Sequence, residues 1–186
     1  MNNVNDILNN NKLIISVMGP HADESTEYIF ERKNEEIKNT GKSFWFTGSY
    51  TAKPEIIREF CGNEDIYCIF ISPSSKGGAK DTKNKIKAKE YSEDNKIWKL
   101  IPEGIIVTGK IGIGGALVFN EYSIIEDQEI IIDLWQYLLT SGNPFRTKIG
   151  ASTICCIKKY NEGMKSRYRN IIAVGRLTYP FAVWLR

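Results

Sequence analysis

The chain has 186 residues, 42% of them apolar and 11% aromatic, and a formal charge of +3. That length suits one domain, residues 1–186, with a core of its own, and the apolar content is too high for a disordered chain. The longest apolar runs, residues 66–71 and 114–119, fall far short of the roughly 18 a membrane helix needs, and residues 1–6 lack the character of a signal peptide, so a cytoplasmic location without membrane contact is expected.

In chain order, residues 1–11 are polar and asparagine-rich and read as a frayed or weakly helical lead-in. Residues 13–18 read as a buried strand, and Gly19-Pro20-His21 as a turn. Asp23 is placed to cap a helix whose first turn carries Glu24 and Glu27, with a left-handed stop at Gly41. Residues 43–47 form a second strand. Pro54 opens a short helix over 54–61 that Gly62 ends, and 65–72 is a third, apolar strand suited to a central position. Residues 73–89 form a lysine- and glycine-containing loop. The pattern around Trp98 assigns no element. Residues 105–107 and 115–123 read as strands joined by a glycine-rich bend. Ile131, Leu134 and Leu138 stand at helical spacing in 128–139, although Ile130-Ile131-Ile132 also suits a strand. Residues 152–159 and 170–174 are strands, and 179–185 is a last short strand after a bend at Pro180. The order predicts an α+β fold with one mixed, curved, partly barrel-like sheet and two to four flanking helices.

Charge is distributed unevenly. Residues 121–141 hold five carboxylates and no lysine or arginine, whereas 142–186 hold nine cations against the single Glu162. A lysine-rich composition alone would not strip acids from one segment. Two basic stretches follow. Lys76, Lys80, Lys83 and Lys85 lie in a loop with Gly77, Gly78 and hydroxyl side chains, a composition that lets backbone and ammonium groups approach phosphate. Lys158, Lys159, Lys165, Arg167 and Arg169 surround Tyr168, pairing bidentate phosphate contact with an aromatic on which a base can stack. Both stretches also suit solvated loops. They favour the nucleic-acid reading if folding brings them to one face.

No Walker motif, HExxH, GxSxG or metal-ligand cluster is present. Gly109–Gly115 does not follow dinucleotide-binding spacing, and Cys61, Cys68, Cys155 and Cys156 lack zinc spacing. No metal or cofactor is expected. His21, the one histidine, lies beside Asp23 after a strand. That placement supports an alternative reading, an enzyme acting on a nucleotide or DNA base by nuclease or glycosylase-like chemistry, with His21 and Asp23 as catalysts.

The segment Phe44-Trp45-Phe46-Thr47-Gly48-Ser49-Tyr50, the apolar strand Asp65 to Ser72, and Ile97-Trp98-Lys99-Leu100-Ile101-Pro102-Glu103-Gly104 followed by 114–122 resemble, in order and character, the PUA-like domains of the EVE and YTH type. The resemblance spans residues 43–125. It implies a curved-sheet module that binds RNA or DNA, with Ser49, Tyr50, Tyr91 and Trp98 bordering a pocket for a base or modified base. The unit over 13–39 is extra to that pattern, and no tryptophan follows the helix near Cys61.

The sequence therefore points to nucleic-acid binding, DNA or RNA, through the two basic stretches. A third reading is a protein-interaction module in which the acidic run 121–141 meets the basic C-terminal quarter, within one chain or across a homo-oligomer.

Overall fold

The computed structural model describes residues 3–18, 24–48, 53–73, 86–109, 114–126, 130–143, 154–160 and 168–186. The helices are α1 (Val4–Leu8), α2 (Thr26–Thr40) and α3 (Pro54–Cys61). The strands are β1 (Lys12–Val17), β2 (Ser43–Gly48), β3 (Tyr67–Ile71), β4 (Ile86–Lys87), β5 (Glu90–Ser92), β6 (Lys99–Leu100), β7 (Thr108–Gly109), β8 (Gly114–Ile124), β9 (Ile131–Asp133), β10 (Tyr137–Leu139), β11 (Ile154–Lys159) and β12 (Tyr168–Leu185).

Ten strands build one mixed sheet, with the path β10-β11-β1-β3-β12-β5-β6, while β8 pairs with β12 and carries β2, and β9 pairs with the start of β12. β4 and β7 form a separate two-stranded ladder. The fold is α+β, as the sequence predicts, but the sheet is open and does not close into a barrel. β1 and β3 are parallel neighbours and the remaining pairs are antiparallel.

The apolar runs of β1 and β3 exist because both faces of these strands are covered. Ile14, Cys68 and Phe70 point to a cluster under α2 and α3 that includes Ile29, Phe30, Ile57 and Cys61. Leu13, Ile15, Val17, Tyr67, Ile69 and Ile71 point the other way, to Ile7 of α1 and to Ile132, Leu134 and Tyr137. Of the two readings of the lead-in, Val4–Leu8 takes the helical one, with Ile7 1% exposed. Helix α2 is capped by Ser25, whose Oγ accepts the Tyr28 N–H at 3.2 Å, two residues beyond the Asp23 that the sequence suggests. Its end at Gly41, with φ +79°, is the left-handed stop expected there.

Three elements differ from the sequence reading. Residues 131–139 are not a helix but β9, a 3-10 turn over Leu134–Gln136, and β10. Open backbone edges on β12 and β11 supply the hydrogen-bond partners that favour strand. Residues 105–107 carry no strand; β7 starts at Thr108 and pairs with β4, inside the stretch read as loop. The segments around 170–174 and 179–185 are one strand, β12, which absorbs the bend as a bulge between Leu177 and Ala182. Its second half, with β8, β2 and β5, builds a third cluster around Phe44, Tyr91, Val118, Val183 and Leu185.

A buried ionic bolt joins α2 to this third region. Lys33 Nζ donates to Glu36 Oε2 at 2.8 Å, to Phe44 O at 2.8 Å and to Ile106 O at 2.9 Å. Glu36 Oε1 accepts Arg32 Nη1 and the Ile106 N–H, each at 3.1 Å, and Arg32 in turn grips Glu24. Desolvation lowers the Lys33 pKa from 10.5 to about 8 against the pull of Glu36. Lys33, Glu36 and Arg32 all bond to groups within the chain, which ties α2 to β2 and to Ile106.

Candidate nucleic-acid interface

The sheet has one end where the carboxyl ends of β1 and β3 lie beside the start of β12. Val17 is in register with Ile71, and Ile71 with Ile171. The ladder continues past the strands: Met18 N–H donates to Ile71 O at 3.0 Å, and Ser72 N–H donates to Asn170 O at 3.1 Å.

Ten of the expected site residues lie outside the described residues: His21, Asp23, Ser49, Tyr50, Lys76, Lys80, Lys83, Lys85, Lys165 and Arg167. Their described neighbours in the chain are informative. His21 and Asp23 fall between Met18 and Glu24, the four lysines between Pro73 and Ile86 of the separate β4–β7 ladder, and Lys165 and Arg167 between Tyr160 and Tyr168. Met18, Pro73 and Tyr168 all belong to this one end of the sheet.

Tyr168 and Arg169 are described there. Tyr168 is 55% exposed, and the Arg169 guanidinium turns back to donate from Nη1 to Tyr168 O at 3.1 Å. Strand β9 pairs beside them, with Asp133 opposite Tyr168 and Ile131 opposite Asn170. The sequence leaves Ile131 open between helix and strand and does not reveal the strand that pairs with Asn170.

Lys158 and Lys159 do not join this end. Lys158 is registered with Lys12, at the opposite end of β1 from Val17, roughly 16 Å away along the strand at about 3.3 Å per residue. Lys159 Nζ bonds Leu8 O at 3.3 Å and Asn9 Oδ1 at 3.5 Å, closing the C-terminal turn of α1. The second basic stretch is therefore split by the fold.

The acidic run is threaded along the basic quarter by strand pairing. Glu121 is in register with Arg176, Asp133 with Tyr168, and β10 lies along β11. The ion pair that Arg176 makes is with Asp65 Oδ1, at 2.8 Å, which raises the arginine pKa. Asp133 Oδ1 accepts the Trp135 N–H at 3.1 Å. Among the described pairs, Glu121 is thus the acid of the run that is set opposite a cation of the C-terminal quarter.

The pocket residues sit at the other end of β12. Gly48, the last residue before Ser49, is in register with Gly115, Gly115 with Trp184, and Trp184 with Ser92 of β5. Tyr91 is 9% exposed and packs edge-on against Phe44 with centroids 5.2 Å apart. Lys42 and Lys99 lie 5.5 and 6.0 Å from its ring centroid. Trp98 is covered by the Arg186 guanidinium, 4.1 Å from its centroid, and Arg186 Nε bonds Glu90 Oε2 at 2.7 Å. Between β5 and β6, Asp94 Oδ1 accepts from Ile97 N–H and Lys96 N–H, each at 2.8 Å, and these bonds hold its pKa at about 2. The fold thus separates the pocket set from Tyr168 and Arg169 by the length of β12.

Among the described residues, no group of three histidine, cysteine or acidic side chains is arranged to hold a metal ion, and no helix is long and apolar enough to cross a membrane. Comparison with family models, curated proteins and solved structures returns no match in any of the three.

Proposed function

We propose that this chain binds nucleic acid at the end of the sheet where β1 and β3 finish and β12 begins. One observation carries the reading: Met18, Ser72 and Asn170 meet at a single hydrogen-bonded ladder end, one or two residues from the Pro73 and Tyr168 that precede Lys76 and follow Arg167 in sequence. Chain connectivity alone keeps Arg167 next to Tyr168 and Lys76 within about 11 Å of Pro73. Arg169 is the cation of the expected set that is described at this end, where phosphate neutralisation is proposed. The pocket expected from the PUA-like resemblance has less support. The Tyr91 ring is packed inward and the Trp98 ring is occupied by Arg186.

The test is a salt titration of oligonucleotide binding by fluorescence anisotropy. Each lost phosphate contact lowers the slope of log affinity against log salt by about 0.7 on a single strand and about 0.9 on a duplex. Arg167→Ala with Arg169→Ala should lower it by about 1.4 to 1.8, and Lys158→Ala should leave it unchanged. Equal slopes for the arginine pair and the wild type refute the proposal.

A further inference from the structure

We infer that two copies of this chain associate through β6, the strand at the end of the ten-stranded sheet, in an antiparallel pair centred on Leu100. The inference is independent of the nucleic-acid reading, since β5 and β6 lie at the far end of β12 from Tyr168. The three most exposed large apolar side chains among the described residues are Leu100 at 77%, Tyr179 at 74% and Ile97 at 68%. All three stand at the β5–β6 hairpin. Ile97 and Leu100 belong to it, and Tyr179 Oη donates to its Glu93 at 3.4 Å. Exposed apolar groups gathered in one place and rimmed by charge mark a protein contact.

The backbone edge is open at Leu100. Glu90 N–H donates to Arg186 O and Arg186 N–H donates to Glu90 O, each at 3.0 Å, so both polar groups of Glu90 face β12. Those of Tyr91 therefore face β6, where Tyr91 is in register with Lys99. By the same alternation the Leu100 N–H and C=O point away from β5, and β5 is the one partner of β6 among the described residues. The opening is short. Pro102 has no N–H to offer on one side, and on the other Asp94 holds the N–H groups of Lys96 and Ile97. Only a short strand fits such an edge, and β6 of a second copy has that length.

The side chains suit self-pairing as well. With Leu100 opposite the partner's Leu100, Lys99 stands opposite Ile101 and Trp98 opposite Pro102, so no like charges are directly opposed. The two Leu100 residues exchange N–H and C=O bonds across the axis, and each Trp98 N–H reaches the partner's Pro102 carbonyl. Trp98 and Leu100 share one face of the strand, so the pair from each copy forms one row across the axis. The charges beside the edge are matched within each chain: Lys99 lies 3.5 Å from Glu93, and Arg186 lies 2.7 Å from Glu90. They neither demand a charged partner nor repel a second copy.

The experiment measures the mass of the full chain by analytical ultracentrifugation from about 1 to about 200 µM. The wild type should shift from one chain toward two as concentration rises. Leu100→Asp sets two carboxylates against each other on the axis and should weaken association by about tenfold or more. Circular dichroism checks that this variant folds, and Ile131→Asp, an equally polar change on β9, should leave association unchanged. Cysteines report the register. In a bonded antiparallel pair facing Cα atoms are about 5.5 Å apart, within disulfide reach. Under mild oxidation Leu100→Cys should therefore give a covalent dimer, whereas Lys99→Cys, offset from its own copy, should give no more than the wild type. A monomer throughout the range refutes the second copy as the occupant and leaves the edge to a strand of another protein. A dimer that survives Leu100→Asp, or equal cross-linking at positions 99 and 100, refutes the β6 axis.

Discussion

Titrating Lys33 tests the physical account of the bolt between α2, β2 and the 105–107 segment. The ammonium is 5% exposed and makes three bonds of 2.8–2.9 Å, yet burial lowers its pKa from 10.5 to about 8. The folded state therefore releases this proton before the unfolded state does. Between pH 8 and 10.5 the unfolded chain binds more protons, and stability from this group rises with pH. At 1.36 kcal/mol per pKa unit, the gain across that window is about 3 kcal/mol. Other groups titrate nearby. Burial pushes Cys61 up to about 12 and Tyr137 up to about 12, and both oppose the trend as their unfolded counterparts ionise. Comparing the wild type with Lys33→Met cancels them. Urea unfolding from pH 7 to 10.5 should give a difference curve that moves by about 3 kcal/mol in favour of the wild type. A flat difference, or one moving the other way, refutes the claim that desolvation dominates. At pH 7, Glu36→Gln should cost about 3–5 kcal/mol, because it leaves the ammonium buried without its countercharge.

The remaining expectations concern packing and reactivity. Ile7→Ala should cost about 2–5 kcal/mol in urea unfolding, since α1 seals one face of β1 with a residue 1% exposed; a change under about 0.5 kcal/mol would restore the frayed reading. Gly175→Ala should cost about 1–3 kcal/mol by the same assay, because a Cβ there would meet the Phe119 ring at 2.7 Å and Tyr122 at 3.0 Å; an unchanged midpoint would refute that close approach. Cys61, fully buried with its thiol pushed up to about 12, should resist a thiol reagent at pH 8 in site-resolved mass spectrometry until urea unfolds the chain. Labelling of the native protein at the same rate as the unfolded one would refute its burial.

Local chemistry in the sequence determined several elements of this protein. Gly41 ends α2 because a left-handed residue is cheapest as glycine, and Pro54 opens α3 because its missing N–H is an orphan there in any case. The unbroken apolar runs of β1 and β3 announced strands covered on both faces, and the acid-poor C-terminal quarter was visible in a count. Other elements depended on partners far away in sequence. Residues 131–139 carry apolar side chains at a spacing that suits either structure, and the open edges of β12 and β11 make them strand. Strand β12 spans Pro180 because β8 holds both sides of the bulge. Lys158 and Tyr168 are ten residues apart and both basic or flanked by bases, yet antiparallel pairing sends them to opposite ends of the sheet. Caps and hydrophobic period act within a turn or two of chain, so the residues themselves determine them. Strand partnership, and with it the meeting of charges into a site, is settled by hydrogen bonds between segments that only the folded chain brings together.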